Sequence, residues 1–97
     1  MLSEEQKNII INTLKPYKPS FIGLFGSFAR NEETESSDID ILYEFEDSTY
    51  SLFDIIRLKE FLYQKLNRPV DLVSKQYINK HIKPYIENDL KILYSAY

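Results

Sequence analysis

The chain has 97 residues, 43% of them apolar and 14% aromatic, and a formal charge of −3, the make-up of one globular domain, 1–97, with a single modest core. Without any cysteine, a disulfide framework, a zinc–thiolate site and a thiol nucleophile are excluded. The opening MLSEEQK has neither the basic nor the apolar region of a secretory signal, and no apolar run approaches the roughly 20 residues of a membrane span, so a reduced, cytoplasmic protein that does not enter a membrane is expected.

Ser3 followed by Gln6 is a capping-box pattern and predicts a first helix from Glu4. That helix carries Ile10 and Leu14 on one face and ends before Pro16, with Pro19 beyond it. Phe21–Phe25 is apolar, aromatic and β-branched, and reads as a short buried strand. Gly26-Ser27 breaks it, and Phe28–Arg30 suits a helical turn. Asp38–Phe45 alternates as a strand, with Ile39, Ile41, Tyr43 and Phe45 on one face and Asp38, Asp40, Leu42 and Glu44 on the other. Ser51–Leu66 is the clearest helix, its stripe made of Leu52, Ile55, Ile56, Leu58, Leu62, Tyr63 and Leu66. Asn67 is its expected cap, and Pro69 forbids continuation. Pro69–Ser74 reads as a strand and Lys75–Lys83 as a helix. Pro84 can open a new turn, and Leu90–Tyr94 suits a last short strand. Helices interleaved with strands predict an α/β or α+β sheet with helices packed on it.

Charge is unevenly placed. Residues 1–56 hold 11 acids against 4 bases, while residues 57–97 hold 4 acids against 8 bases. From Asn31 to Ile56 there are nine acids and no Lys or Arg, a one-sided field that repels itself unless a cation sits in it. A solvated loop accounts for Glu32, Glu33 and Glu35. It accounts less well for Asp38 and Asp40, two like charges on one face of a strand that would repel each other without a cation. Mg²⁺ would relieve them, because hard cations take carboxylate oxygens and keep sites for phosphate. Asp71 lies within the apolar VDLV, where an ionised carboxylate is costly unless it is paired or binds a metal. Three carboxylates on two neighbouring strands can hold two ions ~4 Å apart, the clamp of in-line phosphoryl displacement. Gly26 allows backbone to approach an anion, the turn after it presents N–H groups, Ser27 adds a hydroxyl, and Arg30 adds charge for a triphosphate. Singly, a Gly-Ser turn is usually only a turn and a DxD pair usually chance; their joint order on these elements is not.

Gly26-Ser27, ten residues, then Asp38-Ile39-Asp40, then Asp71 in a later strand closely resembles the DNA polymerase β-like nucleotidyltransferase superfamily. The wording GSFAR, SDIDILYEF and VDLV is similar to its minimal nucleotidyltransferase (MNT) branch, over about Phe21 to Tyr94. The resemblance implies a mixed sheet flanked by helices, with two Mg²⁺ ions and ATP as nucleotide donor. It implies transfer of a nucleoside monophosphate to a hydroxyl. Asp38 and Asp40 would ligate both ions, Asp71 would ligate one and help deprotonate the acceptor, and Gly26, Ser27 and Arg30 would bind the phosphates. Many relatives have Gly where this chain has Asn31, the non-Gly residue most tolerant of positive φ.

The branch also resembles antitoxins that pair with HEPN-domain ribonuclease toxins and adenylylate a tyrosine on them. The toxin would then be both substrate and binding partner, in a homo- or hetero-oligomer. Eight tyrosines, and Phe53 and Phe61 outside the main helical stripe, suit an interface; cover by the first helix explains the two phenylalanines equally well. The rival readings are an enzyme with a small-molecule hydroxyl acceptor, such as an aminoglycoside, and a non-catalytic antitoxin that masks its partner. His81 between Lys80 and Lys83 reads as a solvated face, and Lys59 reads as snorkelling from the apolar stripe. The basic second half suits ATP or the partner, and the overall acidity argues against free nucleic acid.

Overall fold

The computed structural model describes residues 1–46 and 49–97; Asp47, one of the nine acids of the base-free stretch, and Ser48 lie outside them. The order is α1 (Glu4–Leu14), β1 (Pro19–Phe25), β2 (Ile39–Phe45), α2 (Leu52–Leu66), β3 (Val70–Ser74), α3 (Lys83–Asp89) and β4 (Lys91–Ser95). The strands form one sheet in the order β3-β2-β1-β4. β1 pairs antiparallel with β2 and β4, while β2 and β3 run parallel. This is the mixed sheet with flanking helices, an α+β fold. Among the described residues no helix is long and apolar enough to cross a membrane.

Local chemistry explains most element ends. Ser3 and Gln6 form the expected reciprocal cap of α1, and Ser51 with Asp54 forms a second on α2. A 3₁₀ turn over Lys15–Tyr17 takes Pro16 in its first positions, so α1 stops before it. Asn67 closes α2 in the left-handed conformation, φ 58°, and Asn31 adopts φ 59° in the turn after β1, both as their side chains allow.

The core lies on one face of the sheet. Ile10 and Leu14 of α1 and Ile55, Leu58, Leu62 and Leu66 of α2 pack over Ile22, Leu24, Ile39, Ile41, Tyr43 and Val70. The opposite face carries the even-numbered side chains of β2 and is roofed by α3, with Leu42 and Ile86 buried there.

Two expectations change. The α2 stripe is narrower than its apolar pattern: Leu52, Ile56 and Tyr63 are 74%, 44% and 53% exposed, because α1 and the sheet cover only the flank centred on Ile55 and Leu62. Lys75–Lys83 is not one helix. A 3₁₀ turn ends at Tyr77, Ile78 is extended, and α3 begins at Lys83 with Pro84 in its first turn; the turn is fixed by the Asn79 side chain, which accepts from the His81 N–H at 2.8 Å. Lys59 is exposed and borders a cavity beside Tyr63 and Val70.

Candidate active site

The antiparallel β1–β2 pair places Phe25 opposite Asp40. Gly26, the next residue, turns the chain at φ +75°, a conformation glycine adopts without cost. Its missing Cβ leaves the space that the Asp40 carboxylate fills. From Gly26 the chain winds into a helical turn, with the Ala29 and Arg30 N–H groups donating to the Gly26 carbonyl at 3.0 and 3.1 Å. Phe28 and Ala29 bury their side chains beneath it.

The parallel β2–β3 register sets Asp40 directly beside Asp71, about 4.8 Å away along the ladder direction. Asp38 precedes β2, and the Ile39 N–H donates to the Pro69 carbonyl at 3.0 Å, so Asp38 stands at the mouth of the same strand pair. Asp40 is half-buried and feels both neighbours. Burial first, then the charges of Asp71 and Asp38, push its pKa up to about 6, while Arg30 pulls it down. Asp71 itself is exposed. The expectation of a carboxylate in a buried strand is corrected here: β3 is an edge strand, so the side chain reaches solvent around it, and the costly carboxylate is Asp40 instead.

A cavity of about 320 Å³ between α3 and the sheet is lined by Gly26, Arg30, Asp71 and Asp89, over an apolar floor that includes Phe25 and Val73. Ser27 is half-buried and does not line it. Among the described residues Arg30 is the one cation of that lining. It donates from Nη1 to Asp89 Oδ2 at 2.5 Å and from Nε to Glu32 Oε1 at 2.8 Å. Asp89 was not legible in the sequence, since nothing local links it to a residue 59 positions earlier.

The acidic stretch finds its cations outside itself. Arg68, just after α2, donates from Nη1 to the Thr34 and Ser37 carbonyls at 2.8 and 3.0 Å, and its guanidinium lies 5.0 Å from the centre of the Phe28 ring. It thereby ties the loop that delivers Asp38 to the turn that follows Gly26. Glu33, read as a solvated loop acid, is only 19% exposed and pairs with the amino terminus. His81 is exposed and does not line this cavity.

The donor set suits a hard divalent cation: hard carboxylate oxygens, one of them half-buried beside two like charges. Among the described residues no three Asp, Glu, His or Cys side chains already enclose an ion, so a bound ion would have to draw the carboxylates together.

The family described as polymerase beta, nucleotidyltransferase matches residues 8–96. A Methanocaldococcus jannaschii protein, provisionally named a protein adenylyltransferase, is 47% identical over 76 residues, covering 76% of this chain and 76% of its own length. Among solved structures, a chain of a toxin–antitoxin complex with AMP-PNP superposes with a TM-score of 0.82 at 28% identity, covering 93% of this chain and 73% of that one. A chain from a complex of tri-AMPylated Shewanella oneidensis HEPN toxin with an MNT antitoxin gives a TM-score of 0.76 at 26% identity, over 96% of this chain and 72% of that one.

Proposed function

The chain belongs to the polymerase beta nucleotidyltransferase family, and on that premise we propose that it transfers AMP from ATP to a hydroxyl of a cognate HEPN-domain toxin, a tyrosine above all, and so acts as an antitoxin. That it is a nucleotidyltransferase follows from the family. The observation that carries the finer reading is the junction of the two motifs, where Gly26, the start of the phosphate turn, touches Asp40, and Asp40 stands in register with Asp71. The names borne by its relatives support a protein acceptor and a toxin partner.

In this reading Asp38, Asp40 and Asp71 would hold Mg²⁺, which when bound would neutralise phosphate charge. Gly26 and Ser27 present the turn to the β- and γ-phosphates, and Arg30 supplies charge from the side of α3. The acceptor oxygen bonds to the α-phosphorus as the bond to pyrophosphate breaks. The acceptor proton passes to the Asp71 carboxylate, which is free to receive it because it is solvent-facing. A tyrosine of pKa ~10 needs less help here than an aliphatic alcohol.

The test is to incubate the chain with ATP, Mg²⁺ and the HEPN-domain protein encoded beside it, then weigh that protein intact. A gain of one or more AMP units, absent with Asp71→Asn, is the expected result. No mass change, with toxin inhibition that survives loss of all three carboxylates, would replace the reading with masking. AMP found only on an added small hydroxyl compound would replace the protein acceptor.

A further inference from the structure

Two cavities meet at Asp71. One is the α3-side cavity with Gly26 and Arg30. The other, of about 460 Å³, lies between α2 and the free edge of β3 and is lined by Asp38, Lys59, Glu60, Tyr63 and Asp71 among others. Among the described residues Asp71 is the single one that borders both. The first is bordered by Gly26 and Arg30 of the turn after β1; the second is bordered by no residue of that turn.

We propose that this second cavity, with the apolar stripe of α2 that leads to it, is the docking site of the acceptor protein, which presents its hydroxyl to Asp71 from the side opposite the nucleotide. The inference rests on the reading that the acceptor is a protein and adds where it binds. An in-line displacement places the attacking and leaving oxygens on opposite sides of the phosphorus. α2 and α3 lie on opposite faces of the sheet, and Asp71, on an edge strand, is reachable from both.

The occupant follows from the shape and charge of the surface. Leu52, Ile56 and Tyr63 lie on one flank of α2, at the 100° advance of an α-helix, and are 74%, 44% and 53% exposed. The stripe runs roughly 16 Å at 1.5 Å per residue, well past the cavity that Tyr63 helps line. A small hydroxyl compound would fill the cavity and leave the stripe bare, whereas a protein surface covers both. In the metal-free site three acids, Asp38, Glu60 and Asp71, face one base, Lys59, in the cavity lining among the described residues. The matching partner surface is therefore basic around its hydroxyl and apolar beyond it.

The experiment compares Ile56→Glu/Tyr63→Ala with the parent and with Phe61→Ala. Phe61, 45% exposed, lies on the other flank of α2, beside α1. All altered side chains are exposed, so the fold is retained. Three readouts are taken: affinity for the neighbouring HEPN-domain protein without nucleotide, AMP incorporated into it, and the thermal shift on adding AMP-PNP with Mg²⁺. The double variant is expected to lose about ten-fold or more in affinity and in transfer, with an unchanged AMP-PNP shift, while Phe61→Ala matches the parent. A double variant that binds and modifies like the parent overturns the proposal, as does a loss confined to Phe61→Ala. If the parent binds but transfers no AMP, the adenylyltransferase reading falls, and the docking site stands only if the double variant has lost binding. A parent that neither binds nor modifies overturns both.

Discussion

Gly26 and Asp40 share one point in the molecule: a Cβ on Gly26 would fall on the Asp40 carboxylate. The cause is the antiparallel pairing of β1 with β2, which sets Phe25 across from Asp40. The spacing between the Gly-Ser turn and the aspartate pair is thus the length of chain needed to leave β1, turn through Asn31 and return as β2. The Gly-Ser turn and the carboxylates are one unit, and the glycine makes the room that the Asp40 carboxylate occupies.

Gly26→Ala should therefore damage catalysis by displacing Asp40, beyond any effect on phosphate approach. A displacement of about 1 Å at a reacting group costs ~10²-fold in rate. The left-handed backbone at φ +75° adds about 1–2 kcal/mol of destabilisation for a residue with a side chain. Gly26→Val should be worse, and Ser27→Ala, which removes one hydroxyl outside the cavity lining, milder than either. Transfer rates and thermal melts of the three variants check the order; equal activity of Gly26→Ala and parent would refute the contact.

Asp40 makes stability depend on pH. Burial first, then Asp71 and Asp38, raise its pKa to about 6 from 3.8. A raised carboxylate pKa means that the fold favours the protonated acid. That contribution is fully present below pH ~4 and is lost as pH rises through ~6. Asp40→Asn should accordingly stabilise the metal-free protein at pH 7.5, by on the order of 1–2 kcal/mol after screening in an open site, and change little at pH 4. The difference in melting temperature between variant and parent at the two pH values measures it. A variant less stable at pH 7.5 would reverse the sign.

Where the sequence succeeded, short-range chemistry decides the structure. Ser3 with Gln6 caps α1, and Asn31 and Asn67 take the left-handed turns, through interactions within a few residues. Asp38, Asp40, Gly26 and Arg30 were legible because their order along one β-turn-β unit carries the geometry. Asp71 was found for a reason that the fold revises: VDLV reads the same in a central strand and at an edge, and only sheet order tells them apart. The α2 stripe shows the same limit. Periodicity identifies the apolar residues, but the width of the covering surface decides which are buried, leaving Leu52, Ile56 and Tyr63 outside. Arg68 and Asp89 act on residues 31 and 59 positions away, with no local pattern to mark either.

Metal should act through the three carboxylates together. Mg²⁺ with ATP is expected to raise the melting temperature of the parent by mass action on the folded state. Asp38→Asn/Asp40→Asn should abolish that rise, as should Asp71→Asn, each leaving the metal-free fold intact because like charges have been removed. A thermal titration with Mg²⁺, ATP and both together separates the contributions. A full metal-dependent shift in the double variant would remove these residues from the ion site.

The last prediction concerns Arg30. Its guanidinium is shared between Glu32 and Asp89, two carboxylates drawing on the one cation, among the described residues, of the α3-side cavity lining. Asp89 ends α3, where the helix dipole disfavours a negative charge, and its side chain is 13% exposed, so Arg30 is what makes its position tolerable. In the proposed site an incoming triphosphate would share this guanidinium with Asp89. Asp89→Asn removes a negative charge beside the phosphates and frees a donor, and should tighten AMP-PNP binding several-fold at low salt, an advantage that shrinks as ionic strength rises. Arg30→Met should weaken the same binding by about ten-fold, the loss of a charged hydrogen-bond partner, and should also lower the melting temperature, because it leaves Asp89 without its cation. Calorimetric titration of AMP-PNP with Mg²⁺ into both variants, at low and moderate salt, measures the effects. Weaker binding by Asp89→Asn would mean that Asp89 orients Arg30 for the phosphates instead of competing with them.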